Sequence, residues 1–102
     1  MNYANYLGYS DVNPFEIIRR VSDKTLEIRA MRAERDPSWK PNFIPGGFSG
    51  HVDNQRDQRW LIESDSEGAV RRIRLGKYGG KDAHGNRYQI SEKPVKFYDY
   101  NF

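Results

Sequence analysis

A run in which apolar residues occupy every second position is the feature that most constrains the fold of this chain. In Thr25–Met31 the alternation has the two-residue period of a β-strand with one buried face. The preceding run, Phe15–Val21, is rich in β-branched and aromatic residues, and Ser22-Asp23-Lys24 separates the two runs. The pattern predicts a β-hairpin with a short polar loop.

The rest of the chain continues as short β-like runs between turn residues. Asp36–Gly47 carries prolines at Pro37, Pro41 and Pro45, which exclude a helix and a central strand. Gly76–Asn86 is glycine-rich and predicts a long loop or an irregular hairpin. Further strands are predicted at Phe48–Val52, Arg59–Glu63, Ala69–Leu75, Arg87–Ile90 and Val95–Phe102.

The fold class that these runs predict is all-β, because no window shows a convincing helical period. We expect a small twisted antiparallel sheet or barrel-like domain of six to seven short strands, with at most one short helix. The 102 residues predict a single β-rich domain over 1–102. Residues 1–8 are predicted to be a flexible or helical N-terminal arm, because Tyr3, Tyr6 and Leu7 could line one face of a helical turn.

Composition excludes several classes of protein. The net charge is +3, with acidic and basic residues interspersed, which is far from a tail that coats nucleic acid. The absence of cysteine excludes a disulfide scaffold and is compatible with the cytosol. Met1–Tyr9 lacks the pattern of a signal peptide, and no apolar run is long enough to predict a membrane span.

Catalytic and metal-binding motifs are also disfavoured. His51 and His84 lie far apart in sequence and have no thiol to complete a zinc site. Ser49, His51 and Asp53 would share one face of a strand, but same-face neighbours sit roughly 6.6 Å apart, too far for a catalytic triad. Gly46–Gly50 lacks the Gly-Lys-Ser/Thr ending of a phosphate loop. The sequence therefore predicts no enzyme, no metal and no cofactor.

A polar group that follows the glycine-rich turn is a first candidate for ligand binding. His51, Asn54 and Gln55 carry imidazole and amide groups that can read polar edges of a small ligand. The alternative is that these groups satisfy local turn hydrogen bonds.

A pair of arginines is the second candidate. Arg72 and Arg74 share one face of a predicted strand, and guanidinium groups bind phosphate and stack on bases. The alternative is that they form cross-strand pairs with Glu16, Glu27 or Glu63.

Aromatic residues supply flat surfaces that could stack on a base. The C-terminal run Phe97–Phe102 is strongly aromatic and is predicted to pack partly in the core and partly at a ligand or dimer surface. The complete candidate ligand-binding set is His51, Asn54, Gln55, Trp60, Arg72, Arg74 and Tyr98.

Several short motifs, taken in order, carry a resemblance to a known family. The motifs are Tyr9-Ser10-Asp11, Val21-Ser22 with Lys24-Thr25, Gly46-Gly47-Phe48-Ser49-Gly50-His51 with Asn54-Gln55, Arg72-x-Arg74, and Phe97-Tyr98-Asp99-Tyr100-Asn101-Phe102. In this order the chain resembles small phage and prophage proteins of the anti-CBASS nucleotide-sponge type, which are related in role to the Thoeris anti-defence sponges. The chain departs from that pattern at Tyr78-Gly79-Gly80, where a tryptophan is expected after the glycine turn.

The resemblance implies a protein of anti-phage defence evasion. Such a protein would be a homo-oligomer in the bacterial host cytoplasm that sequesters a cyclic di- or trinucleotide, or a cyclic ADP-ribose-type signal, without cleaving it. One alternative is an anti-defence module that inhibits a protein through a sheet edge or an aromatic patch. Another is a small domain that binds single-stranded nucleic acid, which the modest net charge of +3 disfavours.

Overall fold

The computed structural model describes residues 2–44, 51–52 and 54–99, with the backbone alone at 43, 44 and 51. One 3-10 turn, η1 (Gln55–Asp57), accompanies the strands. The strands are β1 (Tyr3–Leu7), β2 (Val12–Arg20), β3 (Thr25–Ala30), β4 (Arg32–Arg35), β5 (Phe43–Ile44), β6 (His51–Val52), β7 (Trp60–Glu63), β8 (Val70–Gly76), β9 (Gly79–Lys81) and β10 (Arg87–Ser91). The prediction of an all-β fold is confirmed.

Six of these strands close into a barrel in the order β1-β10-β9-β8-β3-β2, and every neighbouring pair is antiparallel. The predicted hairpin is confirmed as β2 and β3, with Ile17 opposite Ile28 and a bulge between Ile17 and Arg19. β1 closes the ring because it pairs with β2 along one edge and with β10 along the other.

The core fills the barrel with side chains from alternate strand positions. Its buried apolar members are Ala4, Phe15, Leu26, Ile28, Ile73 and Tyr88. The Tyr88 ring is 1% exposed and meets the rings of Tyr6 and Phe15 edge-on, with centroids 5.6 Å apart in both pairs. Edge-to-face contacts of this kind are favourable in addition to the area that they bury.

The chain leaves the barrel between β3 and β8. There β4 and β7 form a two-stranded ribbon, and β5 pairs with β6. The strand predicted at Arg59–Glu63 is confirmed as β7, in which Trp60 and Ile62 are half-buried while Leu61 and Glu63 are exposed. In the proline-rich segment, Trp39 is buried and its Nε1 donates to the Asn54 carbonyl oxygen at 3.3 Å.

The prediction of a flexible or helical N-terminal arm is wrong. Tyr3–Leu7 is a strand that hydrogen-bonds on both edges, and its Ala4 and Asn5 are fully buried. Two ladders satisfy every backbone group of a central strand, whereas a single helical turn would leave most of them unpaired.

The prediction of a C-terminal strand over Val95–Phe102 is also wrong for its described part. The backbone of residues 95–99 pairs with the described sheet only at an isolated bridge, Val12 to Phe97. Side chains hold this segment instead, since Asn5 Oδ1 accepts from the Val95 N–H at 2.8 Å and Asp11 Oδ1 accepts from the Asp99 N–H at 2.9 Å. Residues 100–102 lie outside the described residues.

Candidate anion-binding groove

Three basic side chains lie side by side on the outside of the barrel. In the strand register, Arg74 of β8 is opposite Lys81 of β9, and Lys81 is opposite Arg87 of β10. Directly opposite residues in antiparallel strands project from the same face about 5 Å apart. All three residues are exposed, and we call them the cationic row.

The cationic row has no counter-charge in the described part of the chain, because no described carboxylate lies within 4.0 Å of any of its three cations. Like charges placed directly opposite one another destabilise a sheet. The repulsion between these cations therefore destabilises the sheet locally, and an anionic ligand would relieve that repulsion.

Asp82 follows Lys81 in the chain, but its carboxylate hydrogen-bonds to groups outside the cationic row. It accepts hydrogen bonds from the Tyr88 hydroxyl at 2.9 Å, from Asn86 Nδ2 at 2.9 Å, and from the N–H groups of His84 and Asn86. Burial alone would raise the pKa of this carboxyl, yet the hydrogen bonds outweigh burial and lower the pKa to about 2. Asp82 thus fixes the loop between β9 and β10 and does not pair with the row.

A cleft of about 520 Å³ lies along the row, and this volume is within the range typical of ligand sites. The turn between β8 and β9 adds Lys77 and Tyr78, whose ring is 91% exposed. The Lys77 ammonium lies 5.5 Å from the centre of that ring. We call the cationic row together with Lys77 and Tyr78 the basic groove.

Gly79 shapes this hairpin. Its φ is +122°, and an added Cβ would lie 2.5 Å from the Tyr88 carbonyl oxygen. A residue with a side chain is therefore excluded here on two grounds, and the glycine keeps β9 close against β10.

The predicted arginine pair divides between two environments. Arg74 belongs to the cationic row, but Arg72 Nε donates to Glu27 Oε2 at 3.4 Å. Glu27 also accepts from Arg19 at 3.3 Å, and chiefly that hydrogen bond lowers the pKa of the Glu27 carboxyl. The alternative interpretation, a cross-strand pair with a glutamate, is therefore correct for Arg72.

The predicted polar group around Asn54 serves the local structure. Asn54 Nδ2 donates to the Lys40 carbonyl at 2.8 Å, and its Oδ1 accepts from the Asn42 N–H at 2.7 Å. Gln55 begins η1. The side chain of His51 and the whole of residues 45–50 lie outside the described residues, so the glycine-turn prediction is not tested there.

Trp60 and Tyr98 both hydrogen-bond to the side chain of Gln58, and neither residue lines the basic groove. Gln58 Oε1 accepts from Trp60 Nε1 at 2.6 Å and from the Tyr98 N–H at 2.8 Å, and its Nε2 donates to the Tyr98 carbonyl at 2.9 Å. Of the seven predicted site residues, Arg74 alone lines the basic groove among the described side chains. The structure therefore does not bring the described side chains of the set together.

Sequence reasoning missed Lys77, Lys81 and Arg87. The signal was present, because Lys77 and Lys81 lie within the glycine-rich segment Gly76–Asn86 and Arg87 directly follows it. Placing them beside Arg74 requires the β8–β9 and β9–β10 registers, which the irregular hairpin prediction did not supply.

Comparison of the chain with protein-family models, with curated proteins and with solved structures gave no significant match. Among the described residues, no three His, Cys, Asp or Glu side chains are grouped closely enough to hold a metal ion. No helix in that part of the chain is long and apolar enough to cross a membrane.

Proposed function

We propose that this protein binds a phosphate-bearing nucleotide in the basic groove and holds it without cleaving it. The observation that carries the proposal is the cationic row, in which three neighbouring cations have no carboxylate partner in the described structure. Guanidinium and ammonium groups bind phosphate oxygens through charge-assisted hydrogen bonds. The exposed Tyr78 ring beside them offers a flat surface for a base.

The finer identity of the ligand rests on the family resemblance and not on the groove. It makes the ligand a cyclic di- or trinucleotide or a cyclic ADP-ribose-type signal, sequestered in the bacterial cytoplasm during evasion of anti-phage defence. A homo-oligomer belongs to the same proposal, because a second copy placed over the groove would bury more of the ligand than one copy can.

The test is isothermal titration calorimetry with cyclic dinucleotides, cyclic trinucleotides, cyclic ADP-ribose isomers and a thymidine oligomer as separate ligands. Arg74→Gln removes one member of the row, and Arg72→Gln is the matched control on the same face of β8. We expect one cyclic ligand to bind and Arg74→Gln to weaken it by roughly 10- to 100-fold, the worth of a charge-assisted hydrogen bond. Arg72→Gln should change the affinity by less than about threefold, because Glu27 already engages that side chain.

Other outcomes would overturn parts of the proposal. If the thymidine oligomer alone binds, with an affinity that falls steeply with salt, the protein is a single-strand binder and the sequestration proposal fails. If no nucleotide binds, the groove does not serve nucleotides. Chromatography of the ligand after release from the complex tests the absence of cleavage, and recovery of a linearised product would contradict it.

A further inference from the structure

A second cleft, of 540 Å³, opens at the beginning of β8, whereas the basic groove lies at the end of that strand. The two clefts share no lining residue in the described structure. Two cations line the second cleft, Arg71 from β8 and Lys96 from the segment after β10. We call it the Arg71–Lys96 cleft.

Arg71 is held in place by neutral aromatic groups. Its Nη1 donates to the Tyr88 hydroxyl oxygen at 3.0 Å, and its guanidinium carbon lies 5.1 Å from the centre of the Phe15 ring. The Tyr88 hydroxyl in turn donates to Asp82, so the phenol is fixed from both sides. A guanidinium carries five N–H donors, and this bond uses one of them.

Lys96 is held in a similar way. Its ammonium donates to Asn13 Oδ1 and lies 5.4 Å from the centre of the Trp60 ring. Burial is the larger influence and lowers the pKa of Lys96, whereas the carboxylate of Asp11 acts in the opposite direction. Neither Lys96 nor Arg71 forms an ion pair with any described residue.

The remaining walls of the cleft combine carbon surface with the amide groups of Asn13 and Asn86. Phe15, Ala30, Met31 and Ala33 contribute carbon surface, and Tyr6 contributes its ring. Neutral partners have already positioned the two cations. Their side chains therefore lose little conformational freedom when a ligand binds, and this favours binding. An anion with a carbon body would meet both the charges and the walls.

We propose that the Arg71–Lys96 cleft is a second ligand site, specific for a small organic anion: a carboxylate or phosphate monoester that carries an apolar or aromatic group. Its oxygens would accept hydrogen bonds from Arg71 and Lys96 together, and its carbon body would cover Phe15 and Met31. The site is separate from the basic groove, so it stands whether or not nucleotides bind there.

The experiment is an NMR titration of the ¹⁵N-labelled protein with phenyl phosphate, benzoate, inorganic phosphate and benzyl alcohol. We expect phenyl phosphate or benzoate to shift the amide signals of Asn13, Phe15 and Arg71 in a saturable way, and the tighter of the two identifies the acidic group. Inorganic phosphate lacks the carbon body and benzyl alcohol lacks the charge, so each should bind at least tenfold more weakly. Equal binding of all four, or no shifts at these amides with any of them, would overturn the proposal.

Variants tie the site to the two cations. Lys96→Met and Arg71→Met should each weaken the better anion by roughly tenfold or more. Arg74→Gln, which alters the basic groove alone, should leave this affinity unchanged. Because Arg71→Met also removes a contact with the core, Lys96→Met is the decisive variant, and an unaltered affinity in a folded Lys96→Met protein would contradict the proposal.

Discussion

Two rows of charged residues run across the outside of the barrel, and strand β8 contributes one arginine to each. In the first, which we call the mixed row, Arg19, Glu27 and Arg72 stand opposite one another, and the central carboxylate lies 3.3 Å and 3.4 Å from its two arginines. In the cationic row, Arg74 stands two positions further along β8 and is opposite a lysine. The arginines are alike in exposure and face, and only their cross-strand neighbours differ.

The difference shows that register decides whether a surface arginine is structural or available to a ligand. Glu27 neutralises Arg72 within the protein, at a geometry where cross-strand opposite charges are favourable. Arg74 meets a like charge, and the same rule makes that arrangement unfavourable. A sheet that keeps such a row loses some stability at that point, and an anion bound in the proposed site would restore it.

The strongest test of the difference between the two rows is Lys81→Glu, which reverses the charge at the centre of the cationic row. The change replaces two repulsive neighbours with two attractive ones, so we expect a gain of about 1 kcal/mol in the free energy of unfolding. For a domain of this size that gain raises the melting temperature by roughly 4–8 °C. Binding of an anionic ligand in the basic groove should fall by roughly 100-fold.

The control for Lys81→Glu is Lys24→Glu, which changes the net charge equally but lies in the loop between β2 and β3. It should alter neither the stability nor the affinity appreciably. The gain from Lys81→Glu should shrink in about 1 M salt, where the screening length is about 3 Å. A stability of Lys81→Glu that is unchanged or lower at low salt would show that the row is not repulsive.

Glu27→Lys makes the opposite change, because it turns the mixed row into a second all-cationic row. It removes both ion pairs of Glu27 and places three cations in register. We expect the melting temperature to fall by a few degrees, with a larger fall at low salt. Glu34→Lys on the β4–β7 ribbon makes the same change of charge at a residue that forms no ion pair with the described part of the chain. A fall in melting temperature equal to that of this control would contradict the role given to Glu27.

The smallest effect concerns Asp82, which is close to the cationic row in sequence but bonded elsewhere. Its pKa is lowered from 3.8 to about 2, so its ionised form contributes stability above pH 3.8 that is lost as the pH falls toward about 2. Asp82→Asn should flatten the pH dependence of stability over this interval, as measured by urea unfolding. Asp23→Asn in the β2–β3 loop is the matched control and should keep the wild-type slope.

Asp82→Asn also tests whether Asp82 screens the charges of the cationic row. If the carboxylate is fully committed to Asn86 and Tyr88, the variant should leave the salt dependence of the melting temperature as it is in the wild type. A steeper salt dependence would mean that Asp82 had been screening the cationic row.

Local pattern was enough to predict part of this surface. The alternation in β8 correctly placed Ile73 and Leu75 on one face and Arg72 and Arg74 on the other, because side-chain direction depends on the strand alone. The neighbours of those arginines depend on register, which loops and turn geometry fix. For the same reason the sequence did not show that Arg71, on the inward face, would meet Phe15 and Tyr88.

The two errors at the ends of the chain have related causes. Tyr3–Leu7 lacks a strong local pattern, and one of its two edges pairs with β10, which is remote in sequence. Val95–Phe102 has the alternation of a strand, but side chains of Asn5, Asp11 and Gln58 hold the backbone of its described part. Interactions of this kind are long-range and leave no periodic signal in the segments that receive them.

Closure of the barrel has a consequence for biosynthesis. β1 obtains its second partner only when β10 is available, so the ring cannot be completed until the ribosome has released residues 87–91. Non-local pairings of this kind slow folding, and until they form one edge of β1 presents unpaired N–H and C=O groups to other chains. The yield of folded protein should therefore depend on chaperones and growth temperature more strongly than its final stability would suggest.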